Sequence, residues 1–223
     1  MSSGIVTALE IQKRNKERAN VFIDGEYAFS LNLMEAAQLR KGQVLTEAEI
    51  TALRGEDEIV RAVDSAANFL GYRPRSTSEV QRNLTEKEFP AEVIDAAVQR
   101  LIGLGYLDDE AFARYWVQNR GEFKPLSHRA LRQELRQKGI DNTIIDTVLE
   151  AVGEGDLAYK AALTQSRRLK KLSRKEFHTK LANFLQRRGF SYSTARDVIQ
   201  RLVDELEAED PDYFDQIRES DEE

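Results

Sequence analysis

Residues 142–152 read Asn142-Thr143-Ile144-Ile145-Asp146-Thr147-Val148-Leu149-Glu150-Ala151-Val152. The apolar positions Ile144, Ile145, Val148, Leu149 and Val152 recur at the spacing of one face of an α-helix. The same stripe occurs three times. Fifty-one residues earlier it is Val93, Ile94, Ala97, Val98 and Leu101, and fifty residues later it is Thr194, Ala195, Val198, Ile199 and Leu202. A repeat of about fifty residues is too small to bury a core alone, so neighbours are expected to stack.

A second helix precedes each stripe. Ser76 is followed by Val80 and Leu84, Ser127 by Leu131 and Leu135, and Ser173 by Phe177 and Leu181. Ser76-x-x-Glu79 and Ser173-x-x-Glu176 are full capping boxes, in which serine and glutamate satisfy orphan amides reciprocally. The serines are offset by 51 and then 46 residues, so the third unit holds four extra residues between Leu181 and Phe190. That is about one helical turn, which predicts a longer middle helix with an unchanged face. Helical stretches at 58–70, 109–119 and 156–169 open the units.

The first thirty residues have strand period instead. Ile5, Leu9 and Ile11, then Val21 and Ile23, then Tyr27, Phe29 and Leu31 alternate with polar residues, and Asp24-Gly25 lies between the last two runs. Asp-Gly in that setting signals a hairpin. A three-stranded β unit is predicted, followed by a helix opened by the capping box Thr46-x-x-Glu49. The expected fold is therefore mainly α: a tandem array of three three-helix repeats forming an elongated curved molecule, preceded by a small antiparallel β unit. The expected divisions are 1–55, 56–107, 108–153, 154–207 and an acidic, disordered tail over 208–223.

Composition excludes several chemistries. The chain has 223 residues, no cysteine and two histidines, His128 and His178. Disulfides, zinc fingers, iron–sulfur clusters and thiol catalysis are ruled out, and a reducing compartment, the cytoplasm, is expected. No apolar run reaches the ~18–20 residues of a membrane span, and the Met1-Ser2-Ser3-Gly4 start has no signal-peptide pattern. There is no Walker A loop, Gly-x-Ser-x-Gly or His-Glu-x-x-His. Neither an enzyme nor a cofactor is expected.

Charge is more telling by position than in sum. The chain carries −6 overall, yet residues 204–223 hold eleven acids against Arg218 and carry −10, leaving +4 on the rest. Residues 166–190 hold nine bases, Arg167, Arg168, Lys170, Lys171, Arg174, Lys175, Lys180, Arg187 and Arg188, against Glu176 alone, a net +8. Bases suit helix C-termini, but nine are more than capping needs. Lysine and arginine at this density form a phosphate-contacting surface whose binding falls with salt. A second cluster, Arg129, Arg132, Arg136 and Lys138, shares a helical face through +3 and +4 spacing, and reads equally well as a stripe paired to Glu134 or Glu150. A third, Lys13, Arg14, Lys16 and Arg18, reads as an exposed loop. Of the aromatic residues, Tyr72, Tyr106, Phe112, Tyr115, Trp116, Phe177, Phe184 and Phe190 are expected in the core and Tyr192 outside it. The acidic end either folds back on the basic third unit or serves only as a solubilising tail.

Gly105-Tyr106-Leu107-Asp108-Asp109 with Phe112-Ala113 and Arg120, Arg73-x-Arg75-Ser76-x-x-Glu79, and Leu131-x-x-x-Leu135-x-x-Lys138-Gly139-Ile140 resemble, in this order, the motifs of the RecX family of RecA regulators. The resemblance covers roughly residues 58–207. The β unit is similar to an extension found in part of that family. Glu88 and Leu126 stand where the family often has glycine, and the acidic tail is not a family feature. The resemblance implies a protein that binds RecA recombinase and its filament on single-stranded DNA, lies in the filament groove, and inhibits ATPase, strand exchange and coprotease activity. It implies a monomer with affinity for single-stranded, and also double-stranded, DNA and none for membranes. Two other classes fit the residues alone: a duplex-binding helix-turn-helix transcription regulator, and a helical protein-binding scaffold.

Overall fold

The structure, a computed structural model, describes residues 3–170 and 172–214. It divides into two compact units, residues 1–107 and 108–223.

The first unit opens with strands β1 (Ser3–Ile11), β2 (Arg18–Ile23) and β3 (Glu26–Asn32), a short helix α1 (Leu33–Ala36), and strand β4 (Val44–Thr46). They form an antiparallel sheet of order β3-β2-β1-β4. The expected Asp24-Gly25 turn joins β2 to β3. Both residues have positive φ, 51° and 90°, as a two-residue hairpin loop of the primed type requires. Strand β4 adds a fourth strand to the three expected. It is only three residues long and pairs with Ser3–Ile5 at the start of β1, too short to show alternation. Val6, Val21, Phe29, Leu31 and Leu45 form the core beneath the sheet.

Helix α2 (Glu47–Leu70) begins at the Thr46–Glu49 capping box and runs unbroken for 24 residues. Its Ile50 and Leu53 pack on the sheet core, and Ile59, Ala62 and Ala66 on the core of the first repeat. One helix thus serves two cores, so the boundary expected after residue 55 lies inside it. Helices α3 (Thr77–Glu86) and α4 (Ala91–Gly103) complete that repeat.

The second unit contains α5 (Asp109–Phe123), α6 (His128–Gln137), α7 (Asn142–Glu150), α8 (Glu154–Ser166), α9 (Arg174–Arg187) and α10 (Tyr192–Glu209). Both of its repeats share one continuous apolar core, with Leu131, Leu135 and Ile145 from one and Phe177, Leu181 and Ile199 from the other. The middle helices bear out the expected lengths: α3 and α6 have ten residues and α9 fourteen.

Each middle helix is capped in the same way at both ends. Ser76, Ser127 and Ser173 accept amide hydrogen bonds at the start, with full capping boxes at Ser76 and Ser173. At the other end the amides of Phe89, Ile140 and Phe190 donate to Leu84, Leu135 and Leu185 carbonyls five residues back, at 3.1–3.2 Å. This closure needs a left-handed residue in between. Gly139 (φ 78°) and Gly189 (φ 89°) supply it in two repeats, and Glu88 (φ 62°) in the first.

Candidate nucleic-acid interface

The basic third repeat places its cations at the two ends of α9. At the N-terminal end, Arg167 and Arg168 follow α8, Lys170 lies in the link, and Arg174 and Lys175 open α9; all five are exposed. Lys171 lies outside the described residues. Arg174 pairs with Glu207 of α10 at 3.3 Å. Arg167, Arg168, Lys170 and Lys175 make no ion pair among the described residues, so their charge is directed to solvent.

At the C-terminal end, Arg187 is exposed while Arg188 is half-buried. The Arg188 guanidinium lies 5.1 Å from the centroid of the Phe184 ring. Burial pushes its pKa down, though a guanidinium stays charged at neutral pH. Arg188 is thus partly a packing residue. Its carbonyl accepts from the Ser127 amide at 3.1 Å, and a side chain at Gly189 would meet Ser127 Oγ at 2.6 Å. The end of α9 therefore abuts the start of α6. Arg187, at the end of α9, and Arg129, in the first turn of α6, are both exposed, and the two helix ends that carry them lie 58 residues apart in the chain.

The rest of the second cluster is engaged. Arg132 pairs with Asp146 of α7, and Arg136 donates to Asn142 Oδ1 at 2.9 Å. The Glu134 partnership foreseen for this stripe goes elsewhere: one of its oxygens accepts from Trp116 Nε1 at 2.8 Å and from Arg120 Nε at 2.7 Å. Arg120 and Lys138 lie over the Trp116 ring, at 4.5 and 5.0 Å from its centroid. Cations held on an indole face are oriented at little entropic cost. This Trp116–Arg120–Glu134–Lys138 cluster escaped the sequence reading. The i,i+4 spacing of Trp116 and Arg120 was the signal for it.

In the third cluster, Lys13, Arg14 and Lys16 are exposed as expected, but Arg18 is not a loop residue. It lies in β2, is 8% exposed, and pairs with Asp57 of α2. The aromatic expectations also need correction. Phe112, Phe177 and Phe190 are buried and Trp116 and Phe184 half-buried, but Tyr72, Tyr106 and Tyr115 are exposed, as is Tyr192. Tyr72 and Tyr106 follow the ends of α2 and α4, where helical periodicity no longer assigns a face.

The acidic end begins against the apolar core of this unit. Past α10 the chain turns, and the Phe214 ring sits edge-on to Phe177 of α9 at 5.2 Å. Residues 215–223, most of the tail foreseen for 208–223, lie outside the described residues. Tail residues 208 and 209 belong to α10.

Comparison with known proteins bears on most of the chain. Family descriptions match at residues 4–46 (regulatory protein RecX N-terminal domain), 62–101, 108–149 and 154–199 (the first, second and third three-helix domains of RecX). The likeness thus extends over the β unit, beyond the 58–207 that the motifs covered. The regulatory protein RecX of Bacillus subtilis (strain 168) is 35% identical, over 92% of this chain and 78% of that protein. That of Lactobacillus delbrueckii subsp. bulgaricus (strain ATCC BAA-365 / Lb-18) is 36% identical, over 91% and 76%. A solved crystal structure of a regulatory protein RecX superposes with a TM-score of 0.69 at 30% identity, covering 87% of this chain and 98% of that one. With all four domains in order, and relatives above 30% identity across nine-tenths of its length, this chain belongs to the RecX family of regulatory proteins.

Proposed function

We propose that this protein regulates RecA recombinase by binding the RecA filament on single-stranded DNA, lying in its groove and limiting ATPase, strand exchange and coprotease activity. It acts as a cytoplasmic monomer, without catalysis of its own. Family membership supports the regulatory role. The observation that carries the filament reading is the group of exposed cations at the two ends of α9, Arg167, Arg168, Lys170, Lys175 and Arg187, with Arg129 exposed on α6, the helix whose start meets the end of α9. Such cations neutralise backbone phosphates without reading sequence, which suits a partner that coats DNA of any sequence. On this reading the second and third repeats bridge adjacent RecA subunits.

The test is the RecA ATPase rate on single-stranded DNA at several salt concentrations, with the wild-type chain and with R167E/R168E/R187E. Inhibition that weakens in the variant, with a flatter salt dependence, supports the proposal; each lost phosphate contact on single strands removes about 0.7 from the log–log slope. Wild-type protein that leaves the ATPase rate and the filament untouched would overturn it. Arg188 is left out of the variant because its half-buried guanidinium also packs on Phe184.

A further inference from the structure

We propose that the first unit carries a phosphate-binding cleft between its sheet and α2, separate from the basic surface of the second unit. The cleft has a volume of about 700 Å³. At its base lies Arg18, 8% exposed. One guanidinium nitrogen, Nη2, donates to Asp57 Oδ1 and, at 3.4 Å, to the Ser30 carbonyl. The other, Nη1, is buried and has no hydrogen-bond acceptor among the described residues. Asp64 Oδ2 stands 4.0 Å from it, beyond hydrogen-bond distance, on a side chain 62% exposed to water. Buried donors in folded proteins are nearly always satisfied, and a charged one most of all. An acceptor from outside the chain completes this one.

The walls suit an anion. Arg61 of α2 and Lys87 at the end of α3 line the cleft and are exposed. Lys87 is held in place by donating to Ser65 Oγ at 2.6 Å. On the sheet side, Ser30 Oγ is in hydrogen-bond contact with Gln12 Nε2 at 3.0 Å and the Tyr27 hydroxyl at 3.1 Å, which fixes that wall before any ligand arrives. Three cations face two carboxylates, and Asp57 is already matched by Arg18. The remaining charge is positive. The donors come from the sheet, α2 and the end of α3, as the oxygens of a tetrahedral phosphate require, and a guanidinium matches such oxygens well.

Gln12, at the start of the β1–β2 connection, lines the cleft, and Lys13, Arg14 and Lys16, all three exposed, follow it in the chain. A phosphate group is the shared chemistry of two sources, a free phosphate or nucleotide and the backbone of a single-stranded nucleic acid.

The experiment uses the full chain with ¹⁵N-labelled arginine. Inorganic phosphate is titrated against chloride at constant ionic strength, and a twelve-residue oligothymidylate is titrated separately. Resonances are read for the Arg18 side chain, together with the thermal midpoint. Phosphate is expected to shift the Arg18 signals saturably and raise the midpoint. R61Q/K87Q should weaken that response at least tenfold without lowering the midpoint in chloride. The oligonucleotide arm is run in the R167E/R168E/R187E background, which separates this site from the second unit. If the oligonucleotide shifts Arg18 there, the source is a nucleic-acid backbone; if only phosphate does, it is a free phosphate or nucleotide. If neither ligand moves Arg18, or R61Q/K87Q responds as the parent does, the proposal fails. Arg18→Gln is not the deciding variant, because it strips Asp57 of its buried partner and threatens the fold.

Discussion

Glu88 holds a left-handed backbone (φ 62°) at the position that Gly139 and Gly189 occupy in the other two repeats. Left-handed backbone strains any residue with a Cβ, by about 1–2 kcal/mol. Glu88→Gly is therefore expected to stabilise the first unit by about 1 kcal/mol, read from the urea midpoint. The reverse experiment separates strain from space. At Gly105 (φ 75°) a Cβ would meet nothing within 4 Å among the described residues, whereas at Gly189 it would meet Ser127 Oγ at 2.6 Å. Gly105→Ala should cost about 1 kcal/mol, the backbone strain alone. Gly189→Ala should cost clearly more and also perturb the amide resonance of Ser127. A local signal for the left-handed demand exists at these positions, because glycine is the usual left-handed residue just past a helix end, and Glu88 stands where the family often has glycine. The close approach of Gly189 to Ser127 was not legible. The two lie 62 residues apart, and nothing local announces the contact.

Helix starts were the most legible elements, since a serine with glutamate three residues on has a local physical meaning. Ser76 is fully buried, and Ser76→Ala should destabilise its unit by about 1 kcal/mol. The carboxylates of the other two capping boxes titrate with consequence. Side-chain and backbone hydrogen bonds from Ser173 hold Glu176 below its ordinary pKa; backbone and side-chain hydrogen bonds from Thr46 do the same for Glu49. Groups shifted down in the fold contribute stability that is complete above their unfolded pKa, about 4.3 for glutamate, and is lost as pH falls through the lowered folded value. Glu176→Gln should flatten the acid limb of a stability–pH profile below about pH 4.3 and leave its slope at neutral pH unchanged. The start of α2 was half legible. Its capping box predicts the helix start correctly, but that helix and the stretch at 58–70 read as two, whereas one helix runs from Glu47 to Leu70. Gly55 interrupts the pattern there, yet it meets nothing within 4 Å, so it costs only intrinsic propensity, about 1 kcal/mol. The acidic end belongs to this scale too. Truncation after Phe214 keeps the Glu207–Arg174 pair and the Phe214–Phe177 contact and removes only residues 215–223. Tighter single-strand binding would support a tail that masks the third repeat; unchanged binding would leave it a solubilising segment.

Taken whole, the molecule has separate cores. The second and third repeats share one apolar cluster, while the sheet and the first repeat each have their own, with α2 contributing to both. Native-state hydrogen exchange should therefore show residues of α6 and α9 opening together, with a common free energy, as one cooperative unit. The tandem repeat was legible because each stripe is local and recurs at a nearly constant interval. The approach of the end of α9 to the start of α6 was not, because it depends on where one helix ends. Helix α9, at fourteen residues, spans about 21 Å, and its additional turn contributes about 6 Å of that. Without that turn the Arg188 carbonyl would stop short of the Ser127 amide. Any insertion or deletion that is not a whole turn would rotate the buried face by about 100° per residue. Helix α9 is thus a gauge that sets the interval between the cations at its two ends. In this repeat, natural length variation belongs in the loops, and the helix can change length only by complete turns with a compensating change at the α6 start.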